Sequence, residues 1–143
     1  MQQSDAGSIV TLKCKLGTVW SADIEFNDLS TLDQVHDAIQ SAVDFDDDHL
    51  YEFFVARTER SRPTKRYECD NKSLRDTRIR DVFPLPPKHH LYYLFDYGDS
   101  WVFRISRSRK QPQTPVAGTE YPRVVSESGE KPMQYDLGDS DDW

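Results

Sequence analysis

The amino-acid sequence predicts an α+β fold, with a mixed, mainly antiparallel sheet of five or six strands and one main helix packed on one face. Three observations lead to this prediction. Several segments alternate apolar and polar residues with a period of two, which is typical of half-buried strands. One segment instead repeats its apolar residues with helical spacing. Aromatic residues form 12% of the 143 residues, a share that argues against a wholly disordered chain.

The first two strands are predicted on either side of a tight turn. Apolar residues occupy every second position in two runs: Val10, Leu12, Cys14 and Leu16, then Trp20, Ala22, Ile24 and Phe26. Gly17-Thr18 lies between the runs, and glycine at the first central position suits a type II′ turn. We therefore expect an antiparallel hairpin.

The main helix is predicted over residues 32–44. Its apolar residues follow the spacing of one helical face: Leu32, Val35, Ile39, Ala42 and Val43. Thr31 can act as the N-cap, in which case Gln34 completes a capping box. We expect His36 at the helix surface or at the rim of the core.

The later segments alternate short strands with breaks. Residues 49–56 are apolar on both sides and predict a central strand, and residues 67–69 a short one. Residues 79–83 suggest one or two helical turns before a proline-rich break. Strands are then predicted at 91–95 and from Trp101, joined by a turn at Gly98-Asp99. The predicted shared core is Trp20, Ile24, Val35, Ile39, Phe53 and Trp101.

Composition divides the chain into three parts. Residues 1–7 are polar and are expected to form a flexible N-terminal segment. Residues 8–125 are expected to form a single domain, the common outcome for a chain of this length. Residues 126–143 are acidic and are expected to form a disordered tail. From Arg107 to the tail we expect extended or irregular chain, except near Tyr121-Pro122.

The charge is strongly segregated. The formal net charge is −7, which opposes general nucleic-acid binding, but two basic stretches interrupt the acidity at residues 57–66 and 104–110. The acids of residues 127–142 are expected either to form a solvated tail that contacts nothing or to compete with outside anions for these stretches. The candidate interaction surface consists of Arg57, Arg60, Arg62, Arg104, Arg107, Arg109, Asp96, Asp99 and Trp101. Exposed aromatic residues beside its arginines would resemble a platform for single-stranded nucleic acid.

Motifs for catalysis or metal binding are missing from the sequence. It contains no glycine-rich phosphate loop, no Gly-x-Ser-x-Gly element and no CxxC pair, so we expect no cofactor and no metal. His49, Glu52, Asp96 and Asp99 could hold a divalent metal if two strands brought them together. However, Asp96 and Asp99 flank Gly98, where aspartates bond to turn backbone, and Glu52 faces away from His49 by strand parity.

Four segments together resemble one protein family. Residues 31–36 (TLDQVH) resemble its helix start, and residues 49–53 (HLYEF) resemble its His-Leu-His-x-Phe strand. Residues 94–101 (LFDYGDSW) resemble its most recognisable motif, Tyr-Asp-Phe-Gly-Asp-x-Trp, and residues 121–123 (YPR) match a later Tyr-Pro element. The chain thus resembles the plasmid pRiA4b ORF-3-like proteins over about residues 19–125. The resemblance implies a small bacterial or archaeal α+β protein, carried by plasmids or other mobile elements and without an established activity.

The chain departs from the family pattern at three places. Tyr51 and Phe103 stand where the resemblance implies histidines, and residues 130–134 replace a Cys-Pro-Pro-Glu-Asp-x-x-Gly-Gly element. If those groups form a metal or catalytic site in relatives, this chain has lost most of it.

We therefore expect a non-catalytic binding or interaction module with an unknown protein partner. One alternative is a nucleic-acid-binding accessory protein that uses the two basic stretches. A second is a degenerate metal-dependent enzyme. The sequence has no apolar run of 18 residues and no N-terminal apolar stretch of signal-peptide length, which predicts a cytoplasmic protein without membrane contact. It leaves the oligomeric state open.

Overall fold

An antiparallel sheet dominates the structure, a computed structural model that describes residues 7–46, 50–68, 72–96 and 100–133. Seven strands lie in the described residues: β1 (Ile9–Leu16), β2 (Trp20–Asn27), β3 (Tyr51–Ala56), β4 (Lys65–Glu68), β5 (His90–Phe95), β6 (Trp101–Arg107) and β7 (Arg123–Gly129). The helices there are α1 (Leu32–Val43), α2 (Ser73–Asp76) and α3 (Ile79–Val82). The strands lie in the order β4-β3-β5-β6-β1-β2-β7, and each neighbouring pair is antiparallel.

The predicted first hairpin is confirmed. Strands β1 and β2 pair along their whole lengths, from Ile9 opposite Asn27 to Leu16 opposite Trp20. The loop between them has one residue more than the predicted two, and the backbone N–H of Val19 donates to the Leu16 carbonyl at 3.2 Å. Gly17 has a φ of 51°, so the glycine supplies the left-handed conformation that this turn requires.

The predicted helix is confirmed to within one residue. Thr31 is the N-cap of α1, and its backbone N–H donates to Oε1 of Gln34 at 2.9 Å, as in a capping box. The last helical residue is Val43, and Asp44 is the C-cap, with a left-handed φ of 59°. No glycine stands there, so the sequence does not show the usual mark of a helix end.

The two faces of the sheet are covered differently. Helix α1 lies against the face that we call the helix face, where it shares the main core with side chains of every strand from β1 to β6. The opposite face, which we call the open face, carries a smaller cluster of Phe54, Ala56 and Tyr92, with Leu94 and Val102 packed against it. Alternate residues of β3, β5 and β6 thus divide between the faces as the strand period requires.

The predicted shared core is confirmed at five of its six positions. Trp20, Ile24, Val35, Ile39 and Phe53 are all at most 2% exposed and belong to the main cluster. Trp101 lies at the margin of that cluster and is only partly buried.

The predicted fold class is wrong. The structure is a mostly antiparallel sheet with seven strands in the described residues and is only 17% helical, not a mixed α+β fold of five or six strands with one main helix. Two of the helices, α2 and α3, are single turns of 4 residues each. The proline-rich segment after α3 stops further helix, because proline removes a backbone donor and clashes with the preceding turn.

Strand β7 is the element that the sequence does not show. All of its residues are exposed, so it lacks the apolar alternation that identifies a strand. It is held instead by backbone pairing to β2 and by three polar contacts: Arg123 Nε donates to Glu25 Oε1 at 2.7 Å, Trp20 Nε1 donates to Glu127 Oε2 at 2.7 Å, and Ser126 Oγ donates to Asp23 Oδ2 at 2.9 Å. The boundary predicted between residues 125 and 126 therefore falls inside β7.

A glycine pair provides a test of the β7 docking. Gly129 and Gly118 have nearly equal φ values of 84° and 83°, but a Cβ at Gly129 would lie 2.1 Å from the Val19 carbonyl oxygen, whereas one at Gly118 meets nothing within 4 Å. Both alanine variants bear the backbone strain of a positive φ, about 1–2 kcal/mol. We expect Gly129→Ala to lower the free energy of unfolding in denaturant titrations by at least about 1 kcal/mol more than Gly118→Ala. Equal losses would contradict the close approach of β7 to β2.

Candidate functional site

The strand register gathers polar side chains into a row across the open face. Phe54 lies opposite Tyr92, Tyr92 opposite Arg104, and Arg104 opposite Lys15. Directly opposed residues point to the same face of an antiparallel sheet, with their Cβ atoms about 4.5–5.5 Å apart. The row therefore joins an aromatic pair to two neighbouring cations, and the rings of Phe54 and Tyr92 are stacked with centroids 5.2 Å apart.

A groove opens above this row. It has a volume of about 520 Å³, within the usual range for ligand sites, and we call it the open-face groove. Strands β5, β6 and β1, the β1–β2 turn and the loop after β3 all contribute to it. Its lining residues are Lys15, Gly17, Thr18, Thr58, Glu59, Arg60, Tyr92, Val102 and Arg104.

The loop after β3 is held by its own short turn. Thr58 and Ser61 exchange hydrogen bonds, since the Thr58 N–H donates to Ser61 Oγ at 2.8 Å and the Ser61 N–H donates to Thr58 Oγ1 at 3.1 Å. Thr64 then returns the chain to the sheet, with its N–H donating to the Val55 carbonyl at 2.8 Å. Arg60 and Glu59 are carried by this turn, so the structure places them over the groove.

The cations of the groove differ from other cations of the same face. Lys13 pairs with Asp23 at 3.8 Å, and Arg66 pairs with Glu52 at 2.8 Å. Over the described residues, Lys15, Arg60 and Arg104 form no such ion pair. Glu59 is the single acid in the lining, so the groove has an excess of positive charge in a protein whose net charge is −7.

Tyr92 supplies a neutral hydrogen-bonding group to the groove. Burial raises the pKa of Tyr92 above its ordinary value of 10.0, the Arg104 guanidinium opposes that rise, and Glu59 adds to it. The phenol thus keeps its proton at neutral pH and can donate a hydrogen bond to an anion bound beside Arg104.

The structure distributes the candidate interaction surface over several places. Arg60 and Arg104 meet at the open-face groove, while Arg57 and Arg62 are exposed on the loop but do not line it. Arg107 and Arg109 line a different pocket beside Phe83. The predicted surface is therefore not one continuous patch.

Asp96 and Trp101 of that surface lie at the other end of β5 and β6. Asp96 is buried with a φ of 65°, and its carbonyl accepts the N–H of Ser100 at 2.6 Å, which agrees with a structural role in the turn. Trp101 packs on Phe45 with ring centroids 5.1 Å apart. Asp99, Gly98 and the turn predicted around them lie outside the described residues.

Sequence reasoning missed Lys15 as a site residue. The signal was present, because Lys13 and Lys15 occupy the polar side of the alternating first strand. What the sequence did not contain was the pairing of β1 with β6, which places Lys15 beside Arg104.

The aromatic residues of the open face are not arranged for base stacking. Phe54 and Tyr92 are only 6% and 5% exposed, whereas a stacking platform presents its rings to solvent. Tyr92 lines the groove, but one face of its ring is stacked against Phe54. A platform for single-stranded nucleic acid requires exposed aromatic rings, and Phe54 and Tyr92 do not provide them.

The prediction for His36 is wrong. Its ring is 2% exposed and lies flat against Tyr51, with centroids 3.6 Å apart and planes 2° apart. Its Nδ1 bonds to the Tyr93 hydroxyl, which also accepts a hydrogen bond from Gln40 Nε2 at 2.9 Å. A buried polar group needs such partners, and the aromatic residues of β3 and β5 enclose it. Helical spacing alone could not reveal these strand partners.

The other chemical candidates are accounted for within the described ranges. His49 lies outside the described residues. The Glu52 carboxylate accepts two hydrogen bonds from the Arg66 guanidinium. Among the described residues, no three His, Cys, Asp or Glu side chains are grouped so that they could hold a metal ion. Burial raises the pKa of the Cys14 thiol to about 12, so it stays protonated at neutral pH. No helix in the described part of the chain has the length and apolarity to cross a membrane.

Comparisons with known proteins find relatives whose functions are not established. The uncharacterised protein y4hQ of Sinorhizobium fredii is 26% identical over 107 residues, which are 75% of this chain and 53% of that protein. The chain thus spans about half the length of this curated relative. A protein of unknown function from Methanosarcina mazei, MM3350, has a crystal structure that matches with a TM-score of 0.69 at 21% identity, over 87% of this chain and 72% of that one.

The resemblance seen in the sequence is also confirmed. A family model described as plasmid pRiA4b ORF-3-like protein matches residues 9–142, well over half of the sequence. The chain belongs to the plasmid pRiA4b ORF-3-like family.

Proposed function

We propose that this protein is a non-catalytic binding module that holds an acidic segment of a protein partner in the open-face groove. The observation that carries the proposal is the cluster of Lys15, Arg60 and Arg104 around one groove, each without an ion-pair partner among the described residues. Cations left unpaired at a concave surface attract carboxylates and speed their association.

The shape of the groove supports an extended peptide segment. Its lining includes Tyr92 and Val102, which can contact apolar parts of a peptide between its charged groups. Arg104 and Arg60 can each present two parallel N–H donors to a carboxylate. Sheet and loop rims on opposite sides provide the walls.

A peptide suits the site better than a nucleic acid does. The aromatic rings of Phe54 and Tyr92 are covered rather than exposed, so they offer nucleic-acid bases no open ring face for stacking. The net charge of −7 adds a general repulsion of polyanions that a short acidic peptide feels less. Nucleic-acid binding through the basic stretches is therefore an outcome that the experiment must separate from peptide binding.

A titration with two probes of equal charge separates the alternatives. A fluorescein-labelled glutamate-rich peptide and a labelled oligo-thymidylate are each followed by fluorescence anisotropy at low and at physiological salt. We expect the peptide to bind more tightly, with an affinity that falls as salt is added, because exposed charges are screened over about 8 Å at physiological ionic strength. Tighter binding of the oligo-thymidylate, or no binding of the peptide, would contradict the proposal.

The acidic residues beyond β7 provide a regulatory element in this proposal. Residues 134–143 carry four aspartates and no basic residue, and they follow a segment in which the Glu130 N–H donates to the Val19 carbonyl at 3.0 Å, beside Gly17 and Thr18 of the groove. A tethered anion has an effective concentration of roughly millimolar. We therefore propose that these residues compete with the partner for the groove.

Neutralising those aspartates tests the competition. The variant with Asp136, Asp139, Asp141 and Asp142 changed to asparagine is expected to bind the acidic peptide a few-fold more tightly at low salt, because a competing anion of roughly millimolar effective concentration is removed. Substitution is preferable to deleting residues 126–143, since that deletion would remove the last four residues of β7. A control variant, Asp76→Asn with Glu120→Gln, changes acids that do not line the groove. An unchanged affinity in the first variant would rule out the competition.

The cytoplasmic location and the mobile-element setting complete the proposal. The mobile-element setting rests on the resemblance to plasmid-carried proteins.

A further inference from the structure

A second pocket lies where the main core reaches the surface at the end of β6. Phe83 and Leu85, in the segment after α3, are partly buried against that core, and Ile105 of β6 is fully buried beneath them. Arg107 and Arg109 continue the chain along the rim. The pocket has a volume of about 270 Å³ and shares no lining residue with the open-face groove, and we call it the Phe83 pocket.

The charge of the Phe83 pocket has one sign. No acidic residue lines it, and neither Arg107 nor Arg109 has an ion-pair partner anywhere in the described residues. Two guanidinium groups therefore stand over an apolar floor with no carboxylate to neutralise them. Unpaired arginines of this kind bind carboxylates through parallel N–H donors.

Two histidines complete the wall of the pocket. His89 Nδ1 lies 2.8 Å from the Pro87 carbonyl, which can only accept, so Nδ1 carries the hydrogen and Nε2 is the free nitrogen of the neutral ring. Burial lowers the pKa of His90 below its usual value of 6.5, and Arg104 and His89 lower it further. His90 thus adds no positive charge at neutral pH to that of the two arginines.

We propose that the Phe83 pocket binds a small amphipathic carboxylate, with its charged group between Arg107 and Arg109 and its apolar body on Phe83 and Leu85. The occupant is small, since 270 Å³ lies just below the range of about 300–1,000 Å³ that holds drug-sized ligands. A long acidic peptide or a nucleic acid does not fit a pocket of this size with an apolar floor. The site is independent of the open-face groove and of the function proposed for it.

Benzoate, phenylacetate and octanoate are suitable probes, with benzamide as the uncharged match for benzoate. Ligand-observed NMR and amide shifts of the labelled full-length protein measure binding and locate it. We expect the carboxylates to bind in the range of about 1 mM or tighter, with shifts at Ser106 and Ser108, and benzamide to bind at least about tenfold more weakly.

Two variants assign the binding to this pocket. Arg107→Gln with Arg109→Gln is expected to weaken benzoate binding at least about tenfold without changing the melting temperature, because both side chains are exposed. Arg57→Gln with Arg62→Gln, a pair of exposed arginines that line neither this pocket nor the open-face groove, is expected to leave benzoate binding unchanged. Equal binding of benzoate and benzamide, equal loss in both variants, or no binding at millimolar concentration would each overturn the proposal.

Discussion

Replacing Ile39 by alanine is expected to lower the free energy of unfolding by about 2–5 kcal/mol, the range for emptying a large aliphatic site. Ile39 is 0% exposed and lies on the buried side of α1, within the main core. The same core contains Trp20, Ile24 and Phe53 from β2 and β3, so little of the cavity can be filled by collapse. Urea unfolding followed by circular dichroism measures the loss.

An exposed residue of similar size provides the control. Leu50 is 61% exposed, and Leu50→Ala is expected to change the free energy of unfolding by less than about 0.5 kcal/mol. A loss below about 1 kcal/mol for Ile39→Ala would mean that α1 does not pack on the sheet as described.

Reversing the two strand cations of the open-face groove is expected to weaken binding of the acidic peptide at least about tenfold, or about 1.4 kcal/mol. Lys15 and Arg104 lie opposite each other on β1 and β6, so Lys15→Glu with Arg104→Glu places two carboxylates at the centre of the groove. Like charges directly opposed across an interface are strongly unfavourable. Neither residue has an ion-pair partner in the described structure, so the substitutions break no such pair.

The loop after β3 supplies a control of equal charge. Arg57 and Arg62 are exposed and do not line the groove, so Arg57→Glu with Arg62→Glu changes the net charge by the same amount. If the peptide responded only to overall charge, both double variants would weaken binding equally. That result would show that the open-face groove is not the binding site. We expect the control to lose less than about threefold, since exposed rim charges mainly alter association rates.

Much of the sheet could be predicted from local periodicity. The alternation in β1, β2, β5 and β6 and the capping box of α1 located those elements to within one or two residues. Local patterns succeed where an element buries one face, because burial then dictates the apolar positions. Strand β7 buries neither face, so its pairing with β2 left no mark of this kind in the sequence.

The candidate site was less predictable, because it depends on strand order. The sequence showed two basic stretches, but only some of their members reach a pocket: Arg60 and Arg104 line the open-face groove, whereas Arg107 and Arg109 line the Phe83 pocket. Arg104 and Arg107 differ by three positions and therefore point to opposite faces of the sheet. The pairing of β1 with β6 brings Lys15 to Arg104 across a long stretch of intervening chain, which local patterns do not report.

A photo-crosslinker at Thr18 can show whether an acidic protein segment occupies the open-face groove. Thr18 is exposed in the β1–β2 turn and lines the open-face groove, whereas Val125 is exposed on β7 away from it. The protein carrying benzoyl-phenylalanine at either position is irradiated in native lysate with and without nuclease, and crosslinked peptides are identified by mass spectrometry. We expect the crosslinker at Thr18 to capture an acidic peptide of a partner protein, and we expect this crosslink to resist nuclease. The crosslink should not form from Val125, and it should be lost in the Lys15→Glu, Arg104→Glu variant. Crosslinks that require nucleic acid, or that form equally at both positions, would contradict this expectation.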